Sequence, residues 1–247
     1  MLFSIFKSDI SMAEKIMELT LLVMVLSFTF SVHEFMHAWV AERMGDDTPR
    51  RQGRITLNPL AHIDPLGAIM MLIAGFGWAK PVQYNPNNLK KYKRYTCERF
   101  ISLAGVTANY ATAIVTSCIV PLVINWYWHS AESGEKTQLA INLVLKFFYY
   151  LREYSFLFLA FNLLPVPPLD GYRFISTFIP YKRRMMFENI SRYSYYIFFA
   201  LILMGRFGEV NILSKIIDWV SWPFRYPVNL LAEWIYDLLK VPWLMRL

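Results

Sequence analysis

Long apolar runs alternate with short basic stretches along this chain. The first run, about Ile16 to Val40, has no proline or glycine, and its notable polar interruptions are Glu18, His33, Glu34 and His37. Arg43, Gly45 and the pair Asp46-Asp47 end it. Phe100 to Trp126 holds no charged residue in 27 positions and is the clearest candidate for a helix that crosses a bilayer. Its Ser102, Ala104, Gly105, Ala108, Ala111 and Ala113 suit close helix packing in lipid. The third run, Leu139 to Leu164, carries Lys146, Arg152 and Glu153, which suit a bilayer core poorly. It stops at Pro165, Pro167 and Pro168, which break any helix. A fourth run covers roughly Tyr193 to Met204.

Residues 45–99 read differently. They are rich in lysine and arginine, and short extended runs such as Arg54 to Leu57 and Pro81 to Tyr84 are each followed by an Asn-Pro pair. That pattern predicts a hairpin or small sheet. The whole pattern predicts an α-helical polytopic membrane protein. Its three core helices cover about 16–44, 98–126 and 139–165, with a small re-entrant β-hairpin or sheet within 50–90 and a fourth helix over about 188–205. Residues 206–247 mix Trp219, Trp222, Trp234 and Trp243 with scattered charges and predict amphipathic or re-entrant helices.

Composition supports a lipid solvent: 56% of the residues are hydrophobic and 17% aromatic, more than a soluble domain carries. The net charge of +7 would suggest nucleic acid in a soluble protein. Here the basic residues sit between apolar runs, which fits cytoplasmic loops facing anionic lipid and no nucleic-acid partner. Cys97 and Cys118 have no metal-finger spacing and predict no disulfide framework. The N-terminus lacks a basic region and small-residue cleavage site, so the first run is expected to stay in the mature protein. Loops 43–99 and 171–192 are basic while loop 127–138 is not, which places the basic loops in the cytoplasm and the N-terminus outside.

His33-Glu34-Phe35-Met36-His37 is an H-E-x-x-H motif. On a helix, i and i+4 share a face, so both imidazoles reach one metal, and zinc suits them. Glu34 can take a proton from the attacking water without being a ligand. A catalytic zinc wants a third protein ligand, and Asp170 of Asn162-Leu163-Leu164-Pro165-Val166-Pro167-Pro168-Leu169-Asp170-Gly171 is the candidate. At ~1.5 Å per residue, His33 lies about 15 Å from Arg43 at the inner edge, and Leu164 about 18 Å from Arg152 at the outer edge. The sum approximates the ~30 Å hydrocarbon core, so the helix break falls near the depth of the histidines. His62, in a proline-flanked loop, reads as a loop brace or a metal ligand.

The pairing of H-E-x-x-H in an early membrane helix with N-x-x-P-x-P-P-L-D-G in a later one resembles the site-2 protease family. Asn58 to Gly67, Gly75 to Val82, and Ser102 to Gly105 followed by Asn109 resemble further family segments, in family order, over about residues 16–180. Val106 departs from a frequent family proline. The resemblance implies an intramembrane metalloprotease domain over 1–205 that holds one Zn2+ per chain. Its reaction would be hydrolysis of a peptide bond within the transmembrane segment of a membrane protein, in regulated intramembrane proteolysis. It implies His33, His37 and Asp170 as metal ligands and Glu34 as catalytic base. Asn109 and Asn162 would be substrate or oxyanion contacts, or else interhelical hydrogen-bonding groups. No room is left for the PDZ or CBS domains of many relatives. Expected partners are a single-span protein or signal-peptide remnant, the lipid bilayer, and room for a homo-oligomer. The expected location is a multi-pass protein of the cell inner or plasma membrane, with the site nearer the cytoplasmic side. Two other classes stay open: a membrane metal transporter, since intramembrane His and Asp also mark ion paths, and a non-catalytic scaffold of the same fold.

Overall fold

The computed structural model describes residues 10–67, 79–129, 135–180 and 212–242, together with 182, 183, 185–189, 191, 193, 194, 196 and 200. Helix α1, Met12–Arg43, begins where Ser11 and Glu14 cap each other. The Ser11 amide donates to Glu14 at 2.8 Å and the Glu14 amide donates to the Ser11 hydroxyl at 3.3 Å, so two otherwise unpaired donors are satisfied. The chain leaves α1 at Met44 and turns at Gly45, whose φ of +109° is open mainly to glycine.

Asp46 then ties the following segment back to the end of α1. Its buried carboxylate accepts from the Thr48 amide (3.2 Å) and hydroxyl (2.6 Å), the Asn85 amide (2.6 Å) and the Asn88 side-chain amide (2.8 Å). The short helix α2, Thr48–Arg51, lies inside this loop.

The sheet expected within 50–90 does not form among the described residues. A single antiparallel bridge joins Ile63 to Ala79, and residues 68–78 lie outside the described part. The Asn-Pro pairs explain the difference. Asn58 and Asn85 each cap a 3-10 turn, Pro59–Ala61 and Pro86–Asn88, by accepting from the amide two residues on. Local side-chain bonds of this kind compete with strand pairing. The backbone of this region is held instead by buried side chains. Arg54 donates to the carbonyls of Ala61 and Lys80, and His62 Nε2 donates to the Thr56 carbonyl at 2.8 Å.

The remaining helices are α3 (Arg94–His129), α4 (Glu135–Leu163), α5 (Asp170–Ser176) and α6 (Ile212–Leu238). Among the described residues, α1 and α3 are long and apolar enough to cross a membrane. The fourth helix expected over 188–205 falls largely outside the described residues. Helix α3 is the hub and packs on α1, α4, α5 and α6. Its small residues allow this: Ala113 is fully buried beside Phe156 of α4 and Val228 of α6. Further along, Val106 meets Leu159, Ala160 and Ile217, while Val120 and Ile124 meet Ala232 and Tyr236. Thus α6 runs parallel to α3 and α4 runs antiparallel to both.

The charges that made α4 look ill-suited to lipid are partnered. Lys146 and Tyr150 both bond Glu18 of α1, the tyrosine at 2.9 Å. Glu153 pairs with Arg225 of α6 at 2.7 Å, and Arg152 bonds Asn229. An ion pair between helices removes the cost of leaving either charge alone in an apolar surround.

Candidate metal centre

Three helices meet at one buried point. His33 and His37 lie four residues apart on α1, which puts both rings on the face toward α3. Their Nε2 atoms stand 3.0 Å apart. Asp170, the first residue of α5, brings Oδ2 to 3.0 Å from His37 Nε2 and 3.1 Å from His33 Nε2. The three residues are 5%, 7% and 6% exposed. Metal–ligand bonds of ~2.0–2.1 Å in a tetrahedron place ligand atoms roughly 3.3 Å apart, so this triangle fits a shared zinc within a few tenths of an ångström. Two imidazoles and one carboxylate, with a fourth position left over, are a donor set suited to catalytic zinc.

Helix α3 shapes the pocket with a stripe at i, i+4 and i+8: Ile101, Gly105 and Asn109. The Ile101 carbonyl lies 2.7 Å from His37 Nδ1 and can only accept, so Nδ1 carries a proton, which in the neutral ring leaves Nε2 bare. Gly105 supplies space. A Cβ there would stand 2.5 Å from both Nε2 atoms and 2.4 Å from His33 Cε1. Asn109, fully buried, has its side-chain nitrogen 3.1 Å from His33 Nδ1.

Asp170 owes its position to the broken segment 164–169. Helix α4 ends at Leu163, and the prolines prevent its continuation. The chain folds back so tightly that a Cβ on Gly171 would meet the Leu163 carbonyl oxygen at 2.2 Å. Leu164 and Leu169 anchor the turn against Leu213, Ile216 and Val220 of α6. The far end of α5 is held from α3. Arg99 donates to the Thr177 hydroxyl at 2.9 Å and carbonyl at 3.3 Å, with its guanidinium 3.8 Å from the Phe178 ring centre.

Glu34 is next to His33, and its Oε2 accepts from the Val82 amide at 3.0 Å. The irregular stretch 80–85 therefore runs past this carboxylate. Asn162 is the penultimate residue of α4, and its side-chain amide donates to the Phe158 carbonyl of its own helix at 3.0 Å. His62 lies outside the metal cluster and braces its loop. The sequence pattern assigned Gly105 only a helix-packing role and assigned none to Ile101, Val82 or Gly171. The small-residue run around Gly105 was a signal of close packing, but what packs there is a pair of histidines. A backbone carbonyl or amide leaves no signal in residue type.

The model of peptidase family M50 matches residues 21–205, three quarters of the chain. This chain belongs to peptidase family M50. It is 36% identical over 182 residues to "Putative zinc metalloprotease YwhC" of Bacillus subtilis, covering 74% of this chain and 80% of that protein. It is also 31% identical over 146 residues to "Putative zinc metalloprotease Rip2" of Mycolicibacterium smegmatis, and 32% identical to the Rip2 of Mycobacterium tuberculosis. Those matches cover 57% of this chain and half of each Rip2. No solved structure matches the chain significantly. M50 membership agrees with the cluster of His33, His37 and Asp170, which fits the zinc of a metalloprotease.

Proposed function

We propose that this M50 peptidase is an intramembrane endopeptidase that hydrolyses a peptide bond within the transmembrane segment of another membrane protein. The observation that carries this reading is a buried three-residue cluster able to hold a metal, with Asp170 on α5 and two of its members, His33 and His37, on α1, an apolar helix of membrane-spanning length. Ionisable groups in such a helix are costly and are retained for function. His33, His37 and Asp170 hold the ion. When bound, zinc supplies Lewis acidity that polarises the scissile carbonyl and acidifies water.

Glu34 takes the proton of the attacking water and delivers it to the departing amine nitrogen. The Val82 amide fixes one oxygen of Glu34, which limits the rotamers from which the other oxygen must act. A substrate helix hides its carbonyls in its own hydrogen bonds and has to unwind locally. An unwound segment laid along residues 80–85 lies beside Glu34, which suits binding by strand addition. Asn162 keeps one amide proton beyond its bond to Phe158 and is the proposed donor to the carbonyl oxygen that gains charge.

The helix directions support a topology. With the basic loop 43–99 in the cytoplasm, α1 runs inward, α3 outward, α4 inward and α6 outward. In that topology the Gly105 level of α3 is nearer its cytoplasmic start, which supports a site toward that side. The test is cleavage of a single-span substrate in proteoliposomes by wild type and Glu34→Gln, with zinc content measured on both. Loss of cleavage with zinc retained supports the reading. Equal cleavage by the two proteins refutes it.

A further inference from the structure

We propose that Asn109 is a positioning residue for His33: its side-chain carbonyl accepts the His33 Nδ1 proton and so leaves Nε2 bare for the metal. The inference rests on the zinc-site reading above and assigns a role different from oxyanion contact. Asn109 is fully buried at the α1–α3 contact, with its side-chain nitrogen 3.1 Å from His33 Nδ1. Its Oδ1 is buried without a hydrogen-bond partner among the described residues.

In that orientation the amide N–H donates, Nδ1 accepts, and a neutral ring carries its proton on Nε2. That atom is the one 3.0 Å from His37 Nε2 and 3.1 Å from Asp170 Oδ2, where a ligand must offer a lone pair. A half-turn of the amide exchanges Oδ1 and Nδ2 at the same distance. Oδ1 then accepts from Nδ1–H, and Nε2 is free to coordinate. The half-turn moves Nδ2 to the place Oδ1 now occupies and asks for no backbone movement.

His37 offers the internal comparison. Its Nδ1 already faces an obligate acceptor, the Ile101 carbonyl at 2.7 Å. Ile101 and Asn109 flank Gly105 by one helical turn each, so one stripe of α3 presents an acceptor to each histidine across the space the glycine leaves. Metal-bound histidines ordinarily donate their second N–H to such a partner, and its loss costs ~10–100-fold in metal affinity.

The test uses the full chain in detergent, stripped by a chelator and titrated with zinc alone against a chromophoric competitor. Wild type, Asn109→Ala, Asn109→Asp and His37→Ala are compared. Asn109→Ala should bind zinc ~10–100-fold more weakly. Asn109→Asp has no N–H but two good acceptors. It should bind within a few-fold of wild type and give the wild-type absorption bands when cobalt replaces zinc. Wild-type affinity in Asn109→Ala overturns the proposal. Should that variant fail to fold, Asn109→Asp decides alone, because a residue needed as a donor loses its function there and one needed as an acceptor keeps it. Zinc loss in Asn109→Asp overturns the proposal. Equal zinc affinity in wild type and His37→Ala removes the metal site itself and overturns both readings.

Discussion

Gly105 of α3 and His33 of α1 are so close that a single methyl group on the glycine would lie 2.4 Å from the imidazole Cε1. Real Cβ contacts do not occur at that distance, so the ring or the helix would have to move. Since His33 and His37 both face this spot, Gly105→Ala is expected to displace the ligands more than it disturbs the fold. Overpacking of this kind costs about 1–3 kcal/mol. Elemental analysis should show zinc well below one per chain in protein that still elutes as a folded species. Full zinc content in Gly105→Ala would mean that the pocket has slack the contacts do not reveal.

Glu34→Gln should keep zinc and lose cleavage. Glutamine preserves the shape and can still accept from the Val82 amide through its side-chain oxygen. It cannot take a proton from water, and loss of a general base costs ~10²–10⁴ in rate. The measurement is initial cleavage rate in proteoliposomes at matched zinc content. A rate within a few-fold of wild type would remove Glu34 from the mechanism.

Asn162→Ala separates catalysis from packing. Among the described residues the side chain makes one bond, to Phe158 of its own helix. A polar bond between membrane helices is worth about 0.6 kcal/mol on average. One oxyanion donor is worth ~10²–10³ in turnover. The expected result is at least a tenfold fall in turnover with near-normal Tm and zinc. A lowered Tm with normal turnover in the folded fraction would assign Asn162 to packing.

Asp46 makes the fold pH-dependent where α1 ends and the 45–90 segment is tied back. Burial opposes its charged form, but hydrogen bonds from Thr48, Asn88 and Asn85 outweigh that and hold its pKa below the usual carboxylate range. A carboxyl depressed in the folded state stabilises above its unfolded pKa of ~3.9, and the contribution fades as pH falls through the folded value. Asp46→Asn should therefore cost about 1–3 kcal/mol near neutrality. The gap between wild-type and variant Tm should narrow only below about pH 4. A gap that is constant from pH 7 to pH 3 would contradict this account.

Cysteine labelling tests the helix directions. Lys90→Cys should be labelled from the opposite side to His129→Cys, and Lys240→Cys should follow His129→Cys because α6 runs parallel to α3. Labelling of Lys240→Cys together with Lys90→Cys would show that α6 does not cross.

The candidate metal cluster of His33, His37 and Asp170 was legible in the sequence because each member is a matter of residue type and local period. His33 and His37 share a helix face by spacing alone, and Asp170 follows prolines that must end a helix. The long apolar runs likewise set α1, α3 and α4, whose observed bounds, Met12–Arg43, Arg94–His129 and Glu135–Leu163, lie within a few residues of those expected. The small sheet expected within 50–90 does not form among the described residues: the short runs Arg54 to Leu57 and Pro81 to Tyr84 read as strands, while the Asn58 and Asn85 that follow them spend their side chains on local caps. Only the tertiary structure decided what surrounds the ligands. Ile101 contributes a carbonyl, Gly105 an absence, Val82 an amide and Gly171 a close backbone approach. These are properties of distance between segments far apart in the chain, and backbone groups are the same in every residue. The partners of Lys146, Arg152 and Glu153 were hidden for the same reason: a charge that looks misplaced on one helix is explained by another helix, which brings a counter-charge to Lys146 and Glu153 and an amide oxygen, that of Asn229, to Arg152.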